Sequence, residues 1–243
     1  MTATTRSVLT ACLAAMVAVA AYFGTVPLAG AVVVLVLLTA IGWPGLMHLH
    51  ARGASGFLVA LVGLGAALVV DVTDGEPVLR NLPVVVAMGL LLAFVNELAR
   101  RPPRTDVVAN VSGEVSGIVV AVGCAGWLAA GLSEEGAALV VSCAVAIAVA
   151  AVVCSTPLRG WAGIGLAVVL AAGAGAGVAR ALPRIDWPSG LWAGLVAGVV
   201  VTSVTALFGH VPTARGRWAS LSAATVPVAV GGILIFVVGR LIG

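Results

Sequence analysis

The sequence predicts an all-α protein, a polytopic transmembrane helical bundle, and three observations carry that reading. Of the 243 residues, 62% are apolar and 9% are charged, with a mean hydropathy of +1.22. All twelve basic residues are arginines, and the chain contains no lysine. Nearly every charge falls in a short gap between apolar blocks of about 20 residues, the length a helix needs to cross the hydrocarbon core of a bilayer. A 24.0 kDa water-soluble domain has too little interior to hide that much apolar surface. The blocks are solid and not alternating, which excludes a β-barrel and favours helices, whose backbone groups pair within the segment. Nothing divides the chain, so residues 1–243 read as one membrane domain.

Cutting at polar and Pro/Gly breaks gives nine candidate spans, with eight as the alternative count. The first, Val8 to Phe23, follows Arg6 and is short. Its Ala18-Val19-Ala20 would suit a secretory cleavage site, but a second apolar stretch, Leu28 to Met47, begins only a few residues later. An uncleaved first helix is therefore the expectation. Gly56 to Val72, also short, and Leu82 to Leu98 come next, then Val107 to Gly131 beyond the longest polar stretch. Gly136 to Val153, Trp161 to Leu182, Ser189 to Phe208 and Ala219 to Leu241 complete the set.

Placing the N-terminus in the cytoplasm leaves Arg6, Arg52, Arg100, Arg101, Arg104, Arg159, Arg215 and Arg217 inside. Arg80, Arg180, Arg184 and Arg240 fall outside, together with most of the acidic residues. Such an excess of arginine in short loops is what the positive-inside rule requires, and an odd span count puts the C-terminus outside. Trp43, Trp127, Trp161, Trp187, Trp192 and Trp218 all lie near expected helix ends, where amphipathic rings settle at the headgroup level. Four-residue glycine spacings (Gly113/Gly117, Gly173/Gly177 with Gly175 between, and Gly194/Gly198) suit close helix packing and self-association. Cys12, Cys124, Cys143 and Cys154 sit inside apolar runs, without metal-ligand spacing, and read as small buried side chains.

The segment Asn96-Glu97-Leu98-Ala99-Arg100-Arg101-Pro102-Pro103-Arg104-Thr105-Asp106 is the richest in chemistry. Its prolines stop the fourth helix, and Thr105 or Asp106 suits the cap of the fifth. Asp106, Asn110, Gly113, Glu114 and Gly117 then share one helix face. Glu114 falls about two turns in, where a carboxyl needs a partner or a wet cavity, and Arg100 or Arg101 is the expected partner. An interfacial ion pair anchoring the loop and a polar cavity touching substrate both fit. His48 and His50, beside Arg52, suit anionic headgroups better than a metal, which would need further ligands. The acidic turn Asp71 to Glu76 lacks the length of a calcium loop. In the last inner loop, His210, Arg215 and Arg217 offer a phosphate contact or, more simply, a stop-transfer anchor.

The stretch Gly209-His210, Arg217, Ser220-Leu221 and Pro227-Val228 resembles the C-terminal signature of the CDP-diacylglycerol synthases (phosphatidate cytidylyltransferases), which are multi-helix membrane enzymes. That resemblance implies nucleotidyl transfer to a lipid headgroup. However, Gly216 and Ala219 stand where the family's metal-binding aspartates belong, and the motif's lysine has no counterpart in this chain. Glu97-Leu98-Ala99-Arg100-Arg101 followed by a glycine-containing helix is similar to a segment of uncharacterised integral membrane proteins of high-GC Gram-positive bacteria. It implies a bacterial plasma membrane and no particular activity.

Three functions remain open. A non-catalytic membrane component, a scaffold or assembly partner, suits glycine-rich helices, scarce charge and short loops. A permease for a neutral or apolar solute suits the small hydroxyl side chains Ser142, Thr202, Ser203 and Thr205. A lipid-headgroup or nucleotidyl transferase needs carboxylate-held metal, and the inner face offers only Glu97, Asp106 and Glu114. The expectation leans away from an enzyme, with no cofactor or metal. The expected partners are membrane lipids and a protein partner or second copy, and no nucleic acid.

Overall fold

The computed structural model describes residues 2–73, 75, 77–101, 105–133, 136–156, 160–182, 185–209 and 216–242. Its elements are α1 (Ala3–Phe23), α2 (Thr25–Leu46), α3 (Arg52–Asp71), α4 (Leu82–Ala99), α5 (Val107–Gly123), α6 (Ala125–Gly131), α7 (Gly136–Cys154), α8 (Trp161–Ala181), α9 (Trp187–Gly209) and α10 (Arg217–Ile242). Because α5 and α6 form one span, Val107–Gly131, the described residues hold nine helices long and apolar enough to cross a membrane. The seam is local: Cys124 N–H donates to Ala121 O and Trp127 N–H to Cys124 O, both at 3.2 Å. These i to i+3 bonds tighten one turn without ending the span.

Most boundaries fall within three residues of the sequence expectation. The exceptions are the two short spans, which start earlier, at Ala3 and Arg52. Polar residues can be helical even where they do not belong in lipid. At α1 the Thr2 side chain accepts the Thr5 amide at 3.2 Å, a cap that lets the helix begin ahead of its apolar stretch.

The centre of the bundle is α10, which packs on α1, α2, α5, α6, α7 and α9. Such contact depends on small side chains, because lipid tails are as apolar as leucine and give helices no hydrophobic reason to associate. A Cβ on Gly42 would lie 2.7 Å from Ser222 Cβ and 2.8 Å from Ser222 N, so α2 and α10 touch backbone to backbone. Buried hydrogen bonds reinforce this seam. The Thr39 and Thr225 hydroxyls are 3.0 Å apart, and Ser222 Oγ donates to Thr39 O at 3.2 Å. Pro227 lies inside α10 and removes one amide from its ladder. Thr10 Oγ1 donates to Ala224 O at 2.8 Å and Trp127 Nε1 to Val228 O at 2.7 Å, supplying side-chain donors on both sides of the proline.

At the periphery, α4 packs on α3 and α5, and α8 packs on α7 and α9. Both turn large apolar side chains outward, among them Leu91, Phe94, Val169 and Leu170. Gly194 and Gly198 do seat α9 against α8, an added Cβ on Gly198 meeting Val168 Cα at 2.8 Å. Gly173 and Gly177 do not pack inside: nothing lies within 4 Å of where their Cβ would be, and Gly175 faces α9 instead.

Two sequence expectations change here. Trp43 and Trp127 are not at a headgroup belt; they are 3% and 0% exposed, each with its indole N–H on a buried carbonyl. Trp161, Trp187, Trp192 and Trp218 are exposed, as ring-at-interface residues should be. Among the cysteines, Cys124 and Cys143 are buried, whereas Cys12 is exposed on the outside of α1.

The two classes of glycine should respond oppositely to a side chain. Gly42→Leu is expected to lower stability by about 1–3 kcal/mol through overpacking, while Gly173→Leu, with open space around it, should leave stability within about 0.5 kcal/mol. Thermal unfolding of the two variants in one detergent decides this, and equal losses would contradict the packing described.

Candidate functional site

At the end of the bundle that carries the N-terminus, α2 and α4 finish where α3 and α5 begin. The end of α2 sets the geometry. Met47 N–H donates to Trp43 O at 3.0 Å and Leu49 N–H to Pro44 O at 2.9 Å, with His48 between them at φ 53°. This is a Schellman-type stop, in which the left-handed position is normally a glycine. By reversing the chain at His48, it tucks Leu49 inside against Gly113 and brings His50 over α5. The His50 backbone N–H reaches Asn110 Oδ1 at 3.4 Å, and His50 Nδ1 is hydrogen-bonded to the same oxygen at 3.2 Å.

The expected polar face of α5 forms, with one exception. Asn110, Gly113, Glu114 and Gly117 are buried. Asp106 is exposed at the N-cap with φ 55°, and its side chain makes no capping bond, because the left-handed backbone turns it away from the first-turn amides. Trp43 lies in the groove between the two glycines. Its Nε1 donates to Gly113 O at 2.7 Å, and a Cβ on Gly117 would sit 2.5 Å from the ring.

Glu114 is 2% exposed. Its Oε1 accepts hydrogen bonds from the Ser55 hydroxyl on α3 and from Asn96 Nδ2 on α4, the latter at 2.5 Å. The expected ion pair with Arg100 or Arg101 is not what holds it. Arg100 instead pairs with Glu97 on its own helix, 2.8 Å away, and donates to Thr105 O at 2.7 Å; Arg101 is exposed. Geometry explains the difference. Glu97 and Arg100 are three residues apart, on one face of α4, whereas Glu114 lies deeper, at the level of Ser55 and Asn96. Two buried carboxyl groups therefore share this pocket of helix ends with one guanidinium.

Several polar atoms in the cluster are sealed from solvent and make no hydrogen bond: Glu114 Oε2, Asn110 Nδ2, Glu97 Oε1 and two nitrogens of Arg100. Asn110 and Glu114 are four residues apart on one face of α5.

Sequence reasoning identified Asn96, Glu97, Arg100, Asn110 and Glu114, which the structure brings together. It missed Ser55, Trp43 and His50 as members of the same cluster. The signal for Ser55 was present, since it is the single hydroxyl in α3. Arg217 is exposed at the start of α10, with no hydrogen bond or ion pair to the cluster, and His210 and Arg215 lie outside the described residues. Among the described residues no group of three His, Cys, Asp or Glu side chains could hold a metal. A separate small cleft between α1, α9 and α10 is lined by Arg6, Ser7, Thr10, Thr205, Phe208 and Pro227, and shares no residue with the Glu114 cluster. No family model, no curated protein and no solved structure matches this chain.

Removing one donor from Glu114 should cost more than removing an exposed charge beside it. Ser55→Ala is expected to lower stability by about 1–3 kcal/mol, the penalty for depriving a buried polar group of its partner. Arg101→Ala should change it by less than about 0.5 kcal/mol. Chemical or thermal unfolding in lipid nanodiscs measures both.

Proposed function

We propose that this chain is a non-catalytic, solute-handling protein of permease type, set in a bacterial plasma membrane with its N-terminus and its Glu114 end in the cytoplasm. One observation carries the reading: a carboxyl group 2% exposed inside a spanning segment, held by two neutral donors and with one oxygen left without a partner. Ionisable groups are costly within a membrane, and where they persist they face substrate or ion pathways. The arginine excess at that same end supports the orientation.

A second reading, an assembly partner or scaffold, has its own support. Gly165, Gly173 and Gly177 on peripheral α8 have nothing within 4 Å of an added Cβ, whereas most glycines facing other helices are filled by a neighbour. That leaves a ridge into which a helix of another chain would fit.

Cells lacking the protein should accumulate or lose at least one small solute relative to the parent strain. Wild type should restore its level, and Glu114→Ala, present in membranes in equal amount, should not. Full restoration by Glu114→Ala would remove the basis of the permease reading. A stable partner whose capture is abolished by Gly173→Leu would favour the scaffold.

A further inference from the structure

Two carboxyl groups and one guanidinium are withdrawn from solvent together where α3, α4 and α5 meet. Glu97 is 6% exposed and Glu114 2%, and Arg100 is engaged by Glu97 at 2.8 Å. Among the described residues, the other charged or titratable groups at this end stay in solvent. Arg52 at the start of α3, His48 and His50 beyond α2, Arg101 beyond α4, Asp106 before α5 and Arg217 at the start of α10 are all exposed. Helices α2 and α6, which also pack on α5, carry none within their length. With both carboxyls ionised, the buried group would hold a net negative charge in a low-dielectric bundle. Burial of that kind is relieved by neutralising one of the acids.

The hydrogen bonds of Glu114 point to which acid that is. Ser55 Oγ and Asn96 Nδ2 both donate to Oε1, and nothing donates to Oε2. A carboxylate accepts on both oxygens, whereas a protonated acid accepts on its carbonyl oxygen and carries its hydrogen on the other. A neutral O–H at Oε2 without an acceptor costs far less than a bare charge without a counter-ion. Glu97, beside a guanidinium, has its counter-ion already. A proton, moreover, requires no cavity. We propose that Glu114 is a proton-binding site, one proton being carried at Oε2 while the helix ends are closed and passed to water when they open toward the cytoplasm. The proposal rests on the permease reading above and makes the proton the species exchanged during solute handling. In the release step the Oε2–H bond breaks, its electron pair stays on the carboxylate and the proton joins a water molecule. The closed form thus holds one proton more than the open form, so acid favours the closed form, by up to about tenfold per pH unit.

The test is infrared difference spectroscopy of the purified full chain in lipid nanodiscs at neutral pH. Wild type is expected to show the carbonyl stretch of a protonated carboxylic acid, displaced on transfer to D2O, and Glu114→Gln is expected to lack it. Glu114→Asp keeps an acid in altered surroundings and should move the band, while Glu97→Asp should leave it in place. Elution of all variants as the folded species in detergent separates these effects from misfolding, and a merely structural role for Glu114 predicts no such band. Absence of the band from wild type, its persistence in Glu114→Gln, or its movement with Glu97→Asp alone would overturn the assignment.

Complementation of cells separates this proposal from the reading beneath it. Glu114→Gln is neutral and of the same shape but has no proton to release, so it should fail to restore the solute level, as Glu114→Ala should. Restoration by Glu114→Gln and not by Glu114→Ala would overturn the proton release and keep solute handling. No infrared band together with failure of Glu114→Ala would overturn the proton site alone. Full restoration by Glu114→Ala would overturn the permease reading and the release that depends on it, while the band would still decide whether a proton is bound.

Discussion

Everything in this bundle depends on how closely helix backbones can approach one another in a solvent that does not push them together. In water, burying a leucine between two helices is itself a driving force; in lipid the leucine is already at home. What remains is dispersion at short range and hydrogen bonds between segments. The described helices use both where α2 and α10 cross: Gly42 removes the side chain that would separate them, and Thr39, Ser222 and Thr225 then come within hydrogen-bonding reach. Proline at 227 is tolerated in the middle of α10 for the same reason, because close neighbours bring Thr10 and Trp127 to the adjacent carbonyls. Packing density and polar satisfaction are thus one constraint, and the central position of α10 follows from it.

The same constraint makes exceptions meaningful. Water cannot enter a tight apolar interface to complete a hydrogen bond, so a buried group without a partner stays that way at a cost. Ser142 is one such group, a single hydroxyl with the carbonyls of its own helix close by. Glu114 Oε2 and Asn110 Nδ2 are others, and they occur in a cluster where Glu97 Oε1 and two Arg100 nitrogens also make no hydrogen bond. An isolated defect costs stability and nothing more. Several such groups gathered at the ends of α2 to α5 mark a polar centre, not a packing fault.

Spans and polar face were legible in the sequence because both are properties of single segments. Apolar block length marked the nine spans found among the described residues, and helical periodicity put Asn110, Gly113, Glu114 and Gly117 together before any tertiary contact was known. Partnerships between segments were not legible. The Glu114 partner was expected to be an arginine because charge is what a sequence displays. The neutral donors Ser55 and Asn96 were chosen by depth, since each stands at the level at which Glu114 enters the bundle. Trp43 and Trp127 failed in the same way. Nearness to a helix end suggests a headgroup anchor, and only the glycine groove beside Trp43 and the proline-broken ladder beside Trp127 show what each indole N–H is for. The Gly173/Gly177 spacing equals that of Gly113/Gly117, yet one pair faces outward and the other holds a tryptophan. Spacing states that a contact is permitted, not which neighbour makes it.

Where the cluster lies follows from competing costs. A carboxyl at the bilayer centre is expensive, and at the surface it is solvated and can select nothing. Two turns into α5, Glu114 is deep enough to be withdrawn from water yet near enough to the helix ends for α2, α3 and α4 to supply His50, Ser55 and Asn96 from their own terminal turns or the loop beyond. Three of these four elements are tied to the rest of the bundle: α2 through α10, and α3 and α5 through α2. The fourth, α4, is held chiefly by α3 and α5, and contributes both Asn96 and the Glu97–Arg100 pair. The most weakly anchored helix thus carries the donor that closes the site, the arrangement needed for a polar centre sealed within a membrane to be reached from one side without dismantling the bundle around it.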